Sequence, residues 1–188
     1  MNTQKLYCAL VHYPIKNKRG DKVATSVTNL DIHDISRSSK TFGFENFFIV
    51  TPIEKQAGLV NKILGHWETE EGTDYNPDRS EALENTLVKS SLESSIAFVK
   101  EKNGVEPLVV LTGANFTHSD GDEKKLIELA KVDERPILLV FGTGWGLHSE
   151  LDDLCSFRLN PIIGHTDYNH LSVRSAVAIY MSRLSALL

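Results

Sequence analysis

A glycine-rich segment, LVFGTGWGLHSEL at residues 139–151, has the residue types of a cofactor-binding loop. Gly142, Gly144 and Gly146 follow an apolar, strand-like run and precede an acidic helix start. Glycine lets the backbone turn sharply and come close to a ligand, so loops of this kind hold phosphates and nucleotides at strand ends. The segment therefore predicts a cofactor site, and its spacing limits which cofactors it could hold.

Three nucleotide-binding motifs can be compared with this spacing. The dinucleotide motif G-x-G-x-x-G requires a third glycine where Leu147 stands, and it belongs near the first strand of a sheet. A P-loop requires a lysine that reaches the phosphates, but no lysine follows Lys131. The G-x-G-x-G loop of Rossmann-like methyltransferases fits locally, but those enzymes carry an acidic residue where this chain has Val140. None of the three motifs accounts for the segment.

A second candidate site is the basic segment IKNKRGDK at residues 15–22. It contains Lys16, Lys18, Arg19 and Lys22 against one acid, which is compatible with an arm that contacts phosphates. A solvated surface loop is the alternative. The net charge of −5 argues against a protein that coats nucleic acid nonspecifically, but not against a local contact of this kind.

The composition indicates one globular domain over residues 1–188, with 41% hydrophobic and 24% charged residues. The apolar runs are too short to span a membrane, and the first of them lacks the length and cleavage site of a signal peptide, so we expect a cytoplasmic protein. Cys8 and Cys155 lie far apart, which excludes a disulfide scaffold and a four-cysteine zinc site. Cys8 and His12 have the spacing of half a metal site, but a cysteine in an apolar strand is better interpreted as a core residue, and we expect no metal.

Strand and helix patterns alternate along the chain. They predict an α/β fold with a mainly parallel sheet and helices on both faces. Ligands of such sheets bind beyond the carboxyl ends of the strands, where the glycine segment lies. The predicted strands are residues 5–13, 46–51, 107–113, 135–142 and 157–162. The predicted helices are residues 29–42 with an N-cap at Thr28, 53–67, 79–102, one from a cap at Asp120 to Lys131, a short one capped by Ser149, and 171–188. Residues 68–78 are predicted to form an exposed loop.

Together with the residues that follow it, the glycine segment resembles the carboxyl-terminal half of the knotted SPOUT methyltransferases. The pieces FGTGWGL, LNPIIG and HLSVRSAVA are similar to the loop, strand and helix-start motifs of the branch that methylates ribose 2′-oxygens. A second block, DIHDISRSSKTFGFENFFIV, is similar to the first motif of the same branch. The residues that share its spacing are Arg37, Ser38, Ser39, Phe42 and Gly43.

The resemblance implies a SPOUT fold with a carboxyl-terminal trefoil knot, S-adenosyl-L-methionine (SAM) as methyl donor, and RNA, either tRNA or rRNA, as acceptor. It also implies a homodimer in which each site is built from both subunits. Small residues along the last helix are compatible with that dimer contact or with close packing inside one subunit. The residues implied to bind the cofactor are Leu111, Thr112, Gly113, Gly142, Thr143, Gly144, Trp145, Gly146, Pro161, Ile162, Ile163, Gly164, Leu171, Ser172 and Val173.

The same resemblance implies a catalytic role for Arg37. Since a guanidinium is essentially never deprotonated, we expect it to stabilise a developing oxyanion or to bind a phosphate of the acceptor. The alternative is a surface ion pair with Asp34, three residues earlier on the same helix. If a side chain accepts the proton, His33, Asp167 and His170 are candidates.

Some positions depart from the ribose-methylating pattern, so the acceptor atom stays open. Thr143 and Gly144 stand where the branch has Asn-Glu, Ser172 replaces the Asn of the last motif, and Asp31 replaces the Asn of the first. Methylation of a ribose 2′-oxygen or of a base nitrogen such as guanine N1 is compatible with the sequence. Two other functions stay open: a noncatalytic SAM- or RNA-binding module with the same fold, and an unrelated α/β enzyme that binds ATP or NAD.

Overall fold

The computed structural model describes residues 4–188, and its central element is a six-stranded parallel sheet. The strands in chain order are β1 (Leu6–Val11), β2 (Ile15–Lys16), β3 (Lys22–Val23), β4 (Asn46–Val50), β5 (Thr86–Lys89), β6 (Leu108–Leu111), β7 (Ile137–Gly142) and β8 (Phe157–Arg158). The sheet order is β5-β4-β1-β7-β6-β8, and every pairing in it is parallel. β2 and β3 form a separate antiparallel hairpin within the basic segment, where the sequence predicted only a loop.

The helices connect these strands. They are α1 (Asn29–Thr41), α2 (Glu54–Trp67), α3 (Glu70–Tyr75), α4 (Pro77–Leu83), α5 (Leu92–Asn103), α6 (Glu123–Asp133) and α7 (Val173–Ser185), with a 3₁₀ helix at Ser149–Leu154. α1 begins where the sequence predicted, because the Thr28 hydroxyl accepts a hydrogen bond from the Asp31 backbone N–H. Gly43 follows its end at a φ of 72°, a left-handed conformation that glycine adopts without strain.

The sheet is covered on both faces, which confirms the predicted layer arrangement. Alternate side chains of β1 point to opposite faces, so Cys8 and Leu10 join one core with residues of α1, α2, α6 and α7. Ala9 and Val11 join a second core with residues of α5 and the 3₁₀ helix. Cys8 is fully buried, and this burial raises the pKa of its thiol, as the interpretation as a core residue requires.

The prediction for residues 68–102 was wrong in two respects. Residues 68–78 contain α3 and the start of α4 instead of an exposed loop, because Thr69 and Asn76 cap the two helices with their side chains. The single helix predicted for residues 79–102 is interrupted by β5, the edge strand that pairs with β4. Thr86 in β5 is buried, and its hydroxyl is hydrogen-bonded to Ser36 of α1 at 2.6 Å. Ser91 then starts α5 with a capping box.

Two helix starts are displaced from their predicted caps. α6 is capped by Asp122, whose side chain accepts from the Lys125 N–H, and not by Asp120. The Asp120 carboxylate instead accepts from the backbone N–H of Arg158 at 2.6 Å, so it stabilises β8. The 3₁₀ helix is capped by His148 and not by Ser149.

Candidate functional site

Three of the four segments predicted to hold the cofactor lie at one edge of the sheet. β6 lies between β7 and β8, so residues 111–113, 142–146 and 161–164 all follow the carboxyl ends of neighbouring parallel strands. Residues 171–173 lead into α7. The loop before residues 171–173 is hydrogen-bonded to the loop after β6. The side-chain amide of Asn169 donates to the carbonyl of Ala114 at 3.1 Å.

The glycine segment, defined here as residues 142–146, requires glycine for steric reasons. A Cβ at Gly142 would lie 2.8 Å from the backbone N of Leu147, closer than a real Cβ approaches any atom. Gly144 and Gly146 have φ values of 57° and 101°, which other residues adopt only with strain. Such a loop presents backbone donors and acceptors at close range, which fits the adenine and ribose of a cofactor.

The loop after β6 is fixed to the same edge. Thr112 is buried, and its hydroxyl donates to the carbonyl of Val140 in β7 at 2.9 Å. A Cβ at Gly113 would lie 2.9 Å from the ring of Phe116, so this backbone is also closely packed. The two loops are therefore held in a defined relative position.

Large apolar side chains are exposed around these loops. Trp145, Ile163, Tyr168 and Leu171 are between 47% and 75% exposed. Exposed apolar groups beside a backbone cradle are compatible with binding of a ligand or a second chain.

The basic hairpin, β2 with β3 and their turn, is hydrogen-bonded to the glycine segment. The Lys16 N–H donates to the carbonyl of Gly146 at 2.9 Å, and the Trp145 N–H donates to the carbonyl of Lys16 at 3.2 Å. Within residues 4–188, Lys16, Lys18 and Arg19 form no ion pair, whereas Lys22 pairs with Glu150 at 2.8 Å. Cations free to bind phosphate thus lie directly beside the candidate cofactor loop.

Arg37 lies on the exposed surface of α1, and the alternative that it pairs with Asp34 is wrong. Asp34 Oδ2 instead accepts from Arg174 Nη1 at 3.2 Å, and Arg174 Nε lies 3.4 Å from Asp31 Oδ1. Arg37 has no carboxylate within 4.0 Å in the described part of the chain. Sequence reasoning missed Arg174, although it directly follows the segment 171–173.

His33 lies one helical turn before Arg37 and is partly buried. Burial lowers the pKa of its imidazole, and the nearby Arg79 and Arg37 lower it further. A neutral imidazole of this kind can accept a proton. Asp167 and His170, the other candidate bases, are exposed in the loop before α7.

A buried histidine that the sequence did not assign to the site is linked to the glycine segment. His12, at the end of β1, is fully buried and is hydrogen-bonded through Nδ1 to the Thr25 hydroxyl at 3.1 Å. The Thr25 hydroxyl is in turn hydrogen-bonded to that of Thr143, which donates to the carbonyl of Val11 at 3.2 Å. Burial lowers the pKa of His12 to about 4, although Asp31 opposes this shift, so the ring is neutral near pH 7.

Residues 4–188 contain no group of three or more His, Cys, Asp or Glu side chains placed to hold a metal ion. In the same residues, no helix is both long enough and apolar enough to cross a membrane.

The comparison with protein families identifies the chain. Residues 5–186 match the sequence model of a family described as "SAM-dependent RNA methyltransferase". The chain belongs to this family. The match confirms the predicted family, which is described by SAM as methyl donor and RNA as acceptor, and the alternative of an unrelated ATP- or NAD-binding enzyme is wrong.

Relatives of this SAM-dependent RNA methyltransferase include a tRNA (guanine-N(1)-)-methyltransferase of Nitratidesulfovibrio vulgaris. It is 45% identical over 181 residues, which make up 96% of this chain and 42% of that relative. An uncharacterized protein of Aquifex aeolicus is 35% identical over 184 residues, 98% of this chain and 90% of that relative. The chain therefore spans about two-fifths of the first relative and nearly all of the second.

The fold comparison agrees with the family. The SpoU methyltransferase AviRb from Streptomyces viridochromogenes, whose structure was solved in complex with AdoMet, superposes with a TM-score of 0.57 at 16% identity. The match covers 97% of this chain and 57% of AviRb. It confirms the predicted SPOUT type of α/β fold.

Proposed function

We propose that this methyltransferase transfers the methyl group of SAM to a tRNA, and that it does so as one SPOUT domain over residues 1–188. One observation carries the proposal: the basic hairpin is hydrogen-bonded to the glycine segment through Lys16 and Gly146. The cation-rich surface and the backbone cradle are therefore parts of one continuous site. The name of the Nitratidesulfovibrio vulgaris relative supports tRNA as the RNA concerned.

In this proposal the cofactor is held mainly by backbone groups of residues 111–113, 142–146, 161–164 and 171–173. SAM supplies a methyl group on a sulfonium, which is transferred by in-line displacement. The protein contributes by orienting the acceptor atom towards that methyl group, since positioning provides much of the rate of such a reaction. The exposed Trp145 is suited to stack on an adenine or on an RNA base.

We propose a ribose 2′-hydroxyl as the acceptor, with Arg37 as the catalytic residue. A permanently charged guanidinium without a carboxylate partner stabilises the negative charge that develops on the ribose oxygen. In this proposal the neutral imidazole of His33, one turn away, accepts the proton. This assignment rests on the exposed position of Arg37 and on the matching first motif.

A second acceptor, guanine N1, is favoured by the name of the Nitratidesulfovibrio vulgaris relative. More than half of that relative lies outside the match, so its named activity is assigned to this chain only as a candidate. Thr143 and Ser172 are polar residues that depart from the ribose-methylating pattern. In this alternative they are the positions that distinguish a base acceptor from a ribose acceptor.

The proposal includes a homodimer and a trefoil knot. Exposed apolar side chains at residues 163, 168 and 171 support a subunit contact that completes the site. Packing of α7 against both α1 and α6, on the same face of the sheet, supports a chain end tucked into the fold. A cytoplasmic location, which the composition favours, completes this proposal.

The test is methyl transfer from isotopically labelled SAM to bulk unmodified tRNA, followed by digestion and mass spectrometry of the nucleosides. A labelled 2′-O-methylnucleoside is the expected product, and labelled 1-methylguanosine supports the second acceptor. Arg37→Lys serves as the matched variant, because lysine keeps the positive charge but lacks the planar guanidinium group. Binding of S-adenosylhomocysteine without label in any nucleoside contradicts the proposal and favours the noncatalytic module.

A further inference from the structure

A tryptophan at the end of α2 organises a cationic surface next to Arg37. Trp67 is 9% exposed, and the guanidinium carbon of Arg79 lies over its ring, 5.0 Å from the centroid. The imidazole of His33 packs edge-on against the same ring, with centroids 5.8 Å apart. Stacking fixes the plane of a guanidinium while leaving N–H groups at its edge free to donate.

Helix geometry brings Arg37 to the same place. His33 and Arg37 are four residues apart on α1, so their side chains are neighbours on one helix face. His33 therefore neighbours Arg37 on α1 and also contacts the Trp67 ring. We call these four residues the tryptophan-centred cluster.

Two carboxylates near this cluster are paired with other cations. Asp34 pairs with Arg174, and Glu81 pairs with Lys40 at 2.9 Å. Across residues 4–188, neither Arg37 nor Arg79 has a carboxylate within 4.0 Å. In a chain with a net charge of −5, two adjacent uncompensated arginines indicate a site for an anion from outside the chain.

His33 has an unused hydrogen-bonding atom in the cluster. Its Nδ1 is buried and has no partner among the described residues. Burial and the two arginines lower the pKa of the imidazole, so the ring is a neutral group that donates from one nitrogen and accepts at the other.

We propose that the tryptophan-centred cluster binds a backbone phosphate of the RNA strand next to the acceptor nucleotide. Arg79 donates to the phosphate oxygens, and Trp67 keeps Arg79 in position. A guanidinium fork fits a phosphate in a bidentate manner, and an RNA strand supplies phosphates at regular intervals beside its 2′-hydroxyls. The inference rests on the proposed function in one respect, that RNA is the molecule bound.

A neighbouring acidic groove limits the path that the RNA strand can take over the surface. A groove of about 460 Å³ that Trp67 also lines contains Glu68, Glu81 and Glu84. These carboxylates repel phosphate, so the strand passes over the α1 side of the cluster and not along the groove.

The experiment measures binding of bulk unmodified tRNA to the full chain over about 0.05 to 0.2 M salt. The variants are Arg79→Met and Arg79→Lys, and the matched control is Lys100→Met on α5, which packs on the opposite face of the sheet. We expect Arg79→Met to weaken binding about tenfold and to reduce the slope of log K against log salt by about one. Arg79→Lys should restore most of the salt slope, and Lys100→Met should behave like the wild type.

The same proteins are titrated with S-adenosylhomocysteine, which must bind them equally well, because Arg79 lies outside the cofactor loops. Arg79→Gln replaces Arg79→Met if the latter does not fold. Equal tRNA affinity and salt slope in wild type and variant overturn the inference, and so does wild-type protein that binds no tRNA. If Arg79→Met reduces the salt slope but the wild type transfers no methyl group, the result supports the phosphate site and contradicts the proposed function. If the wild type transfers a methyl group to tRNA but Arg79→Met keeps the wild-type salt slope, the result supports the proposed function and contradicts the phosphate site.

Discussion

Arg174 Nε lies 3.4 Å from Asp31 Oδ1, and this contact joins the first turn of α7 to the first turn of α1. The carboxylate is largely buried and also accepts from the Thr28 hydroxyl at 2.6 Å. The contact couples the segment 171–173, which we propose holds the cofactor, to the helix that carries Arg37. The proposed cofactor segment and the helix of Arg37 are thereby held in one arrangement.

Replacing Arg174 should therefore weaken cofactor binding. In Arg174→Met the start of α7 loses its attachment to α1, and Asp31 loses its charged partner. We expect S-adenosylhomocysteine affinity to fall about tenfold and the free energy of unfolding to fall by about 1 to 2 kcal/mol, since Arg174 is partly exposed. Calorimetric titration and urea denaturation measure the two effects.

The control for this variant lies near the other end of the same helix. Arg183 pairs with Glu123 at 3.1 Å, far along α7 from the segment 171–173. Arg183→Met should leave cofactor affinity unchanged. If both variants bind the cofactor like the wild type, the Arg174 contact does not position the site.

The glycine segment should not tolerate a side chain at its first position. In Gly142→Ala the new Cβ meets the backbone N of Leu147 at 2.8 Å, so the loop must move. We expect S-adenosylhomocysteine affinity to fall more than tenfold, a loss of over about 1.4 kcal/mol. Gly58→Ala on α2 is the control, because its Cβ meets no atom within 4 Å and should stabilise the helix by up to about 1 kcal/mol. Normal cofactor binding by Gly142→Ala would show that the glycine segment is not part of the cofactor site.

The basic hairpin should contribute to RNA affinity in a salt-dependent way. Replacing Lys16, Lys18 and Arg19 together by Met should weaken tRNA binding and reduce the salt slope by about three, since each of the three cations neutralises one phosphate. Lys22→Met should have a smaller effect, because Lys22 already pairs with Glu150. Salt-dependent filter binding measures both. An unchanged slope in the triple variant means that the hairpin does not contact RNA.

Stability should fall in mild acid because of His12. The unfolded chain protonates this histidine near pH 6.5, but the folded chain does so only near pH 4, since burial disfavours the imidazolium. Between these values the unfolded state binds more protons, so stability is complete above about pH 6.5 and decreases as the pH falls towards 4. We expect His12 to account for a loss of about 2 kcal/mol between about pH 7 and about pH 5.

Urea denaturation of wild type and His12→Asn at the two pH values checks this expectation. The variant should lose less stability on acidification, whatever its stability at neutral pH. His118→Asn, at an exposed position, is the control and should follow the wild type. Identical acid sensitivity of His12→Asn and the wild type would show that His12 is not protonated on unfolding.

Features that depend on neighbouring residues were predictable from the sequence. The Thr28 cap, the central strands and the glycine segment all depend on short-range patterns, and each lies where it was predicted or within a few residues of it. β5 was missed because it is a four-residue edge strand between two helical patterns. Its position is set by pairing with β4, which local periodicity does not encode.

The long-range contacts of the site could not be predicted. Asp31 was noted as a departure from the family pattern, but its partner Arg174 lies at the far end of the chain. Likewise, the hydrogen bonds that join His12, Thr25 and Thr143 connect three separate segments. Only the fold brings such residues together, so their pairing required the structure.

Calorimetric titration of the wild-type protein with S-adenosylhomocysteine tests most directly whether the chain has a SAM site, on which the assignment of residues 111–113, 142–146, 161–164 and 171–173 depends. We predict one binding event per chain with a micromolar Kd, which corresponds to about −8 kcal/mol. Folded, cofactor-free protein that binds no S-adenosylhomocysteine would contradict the site assignment and the mechanism built on it.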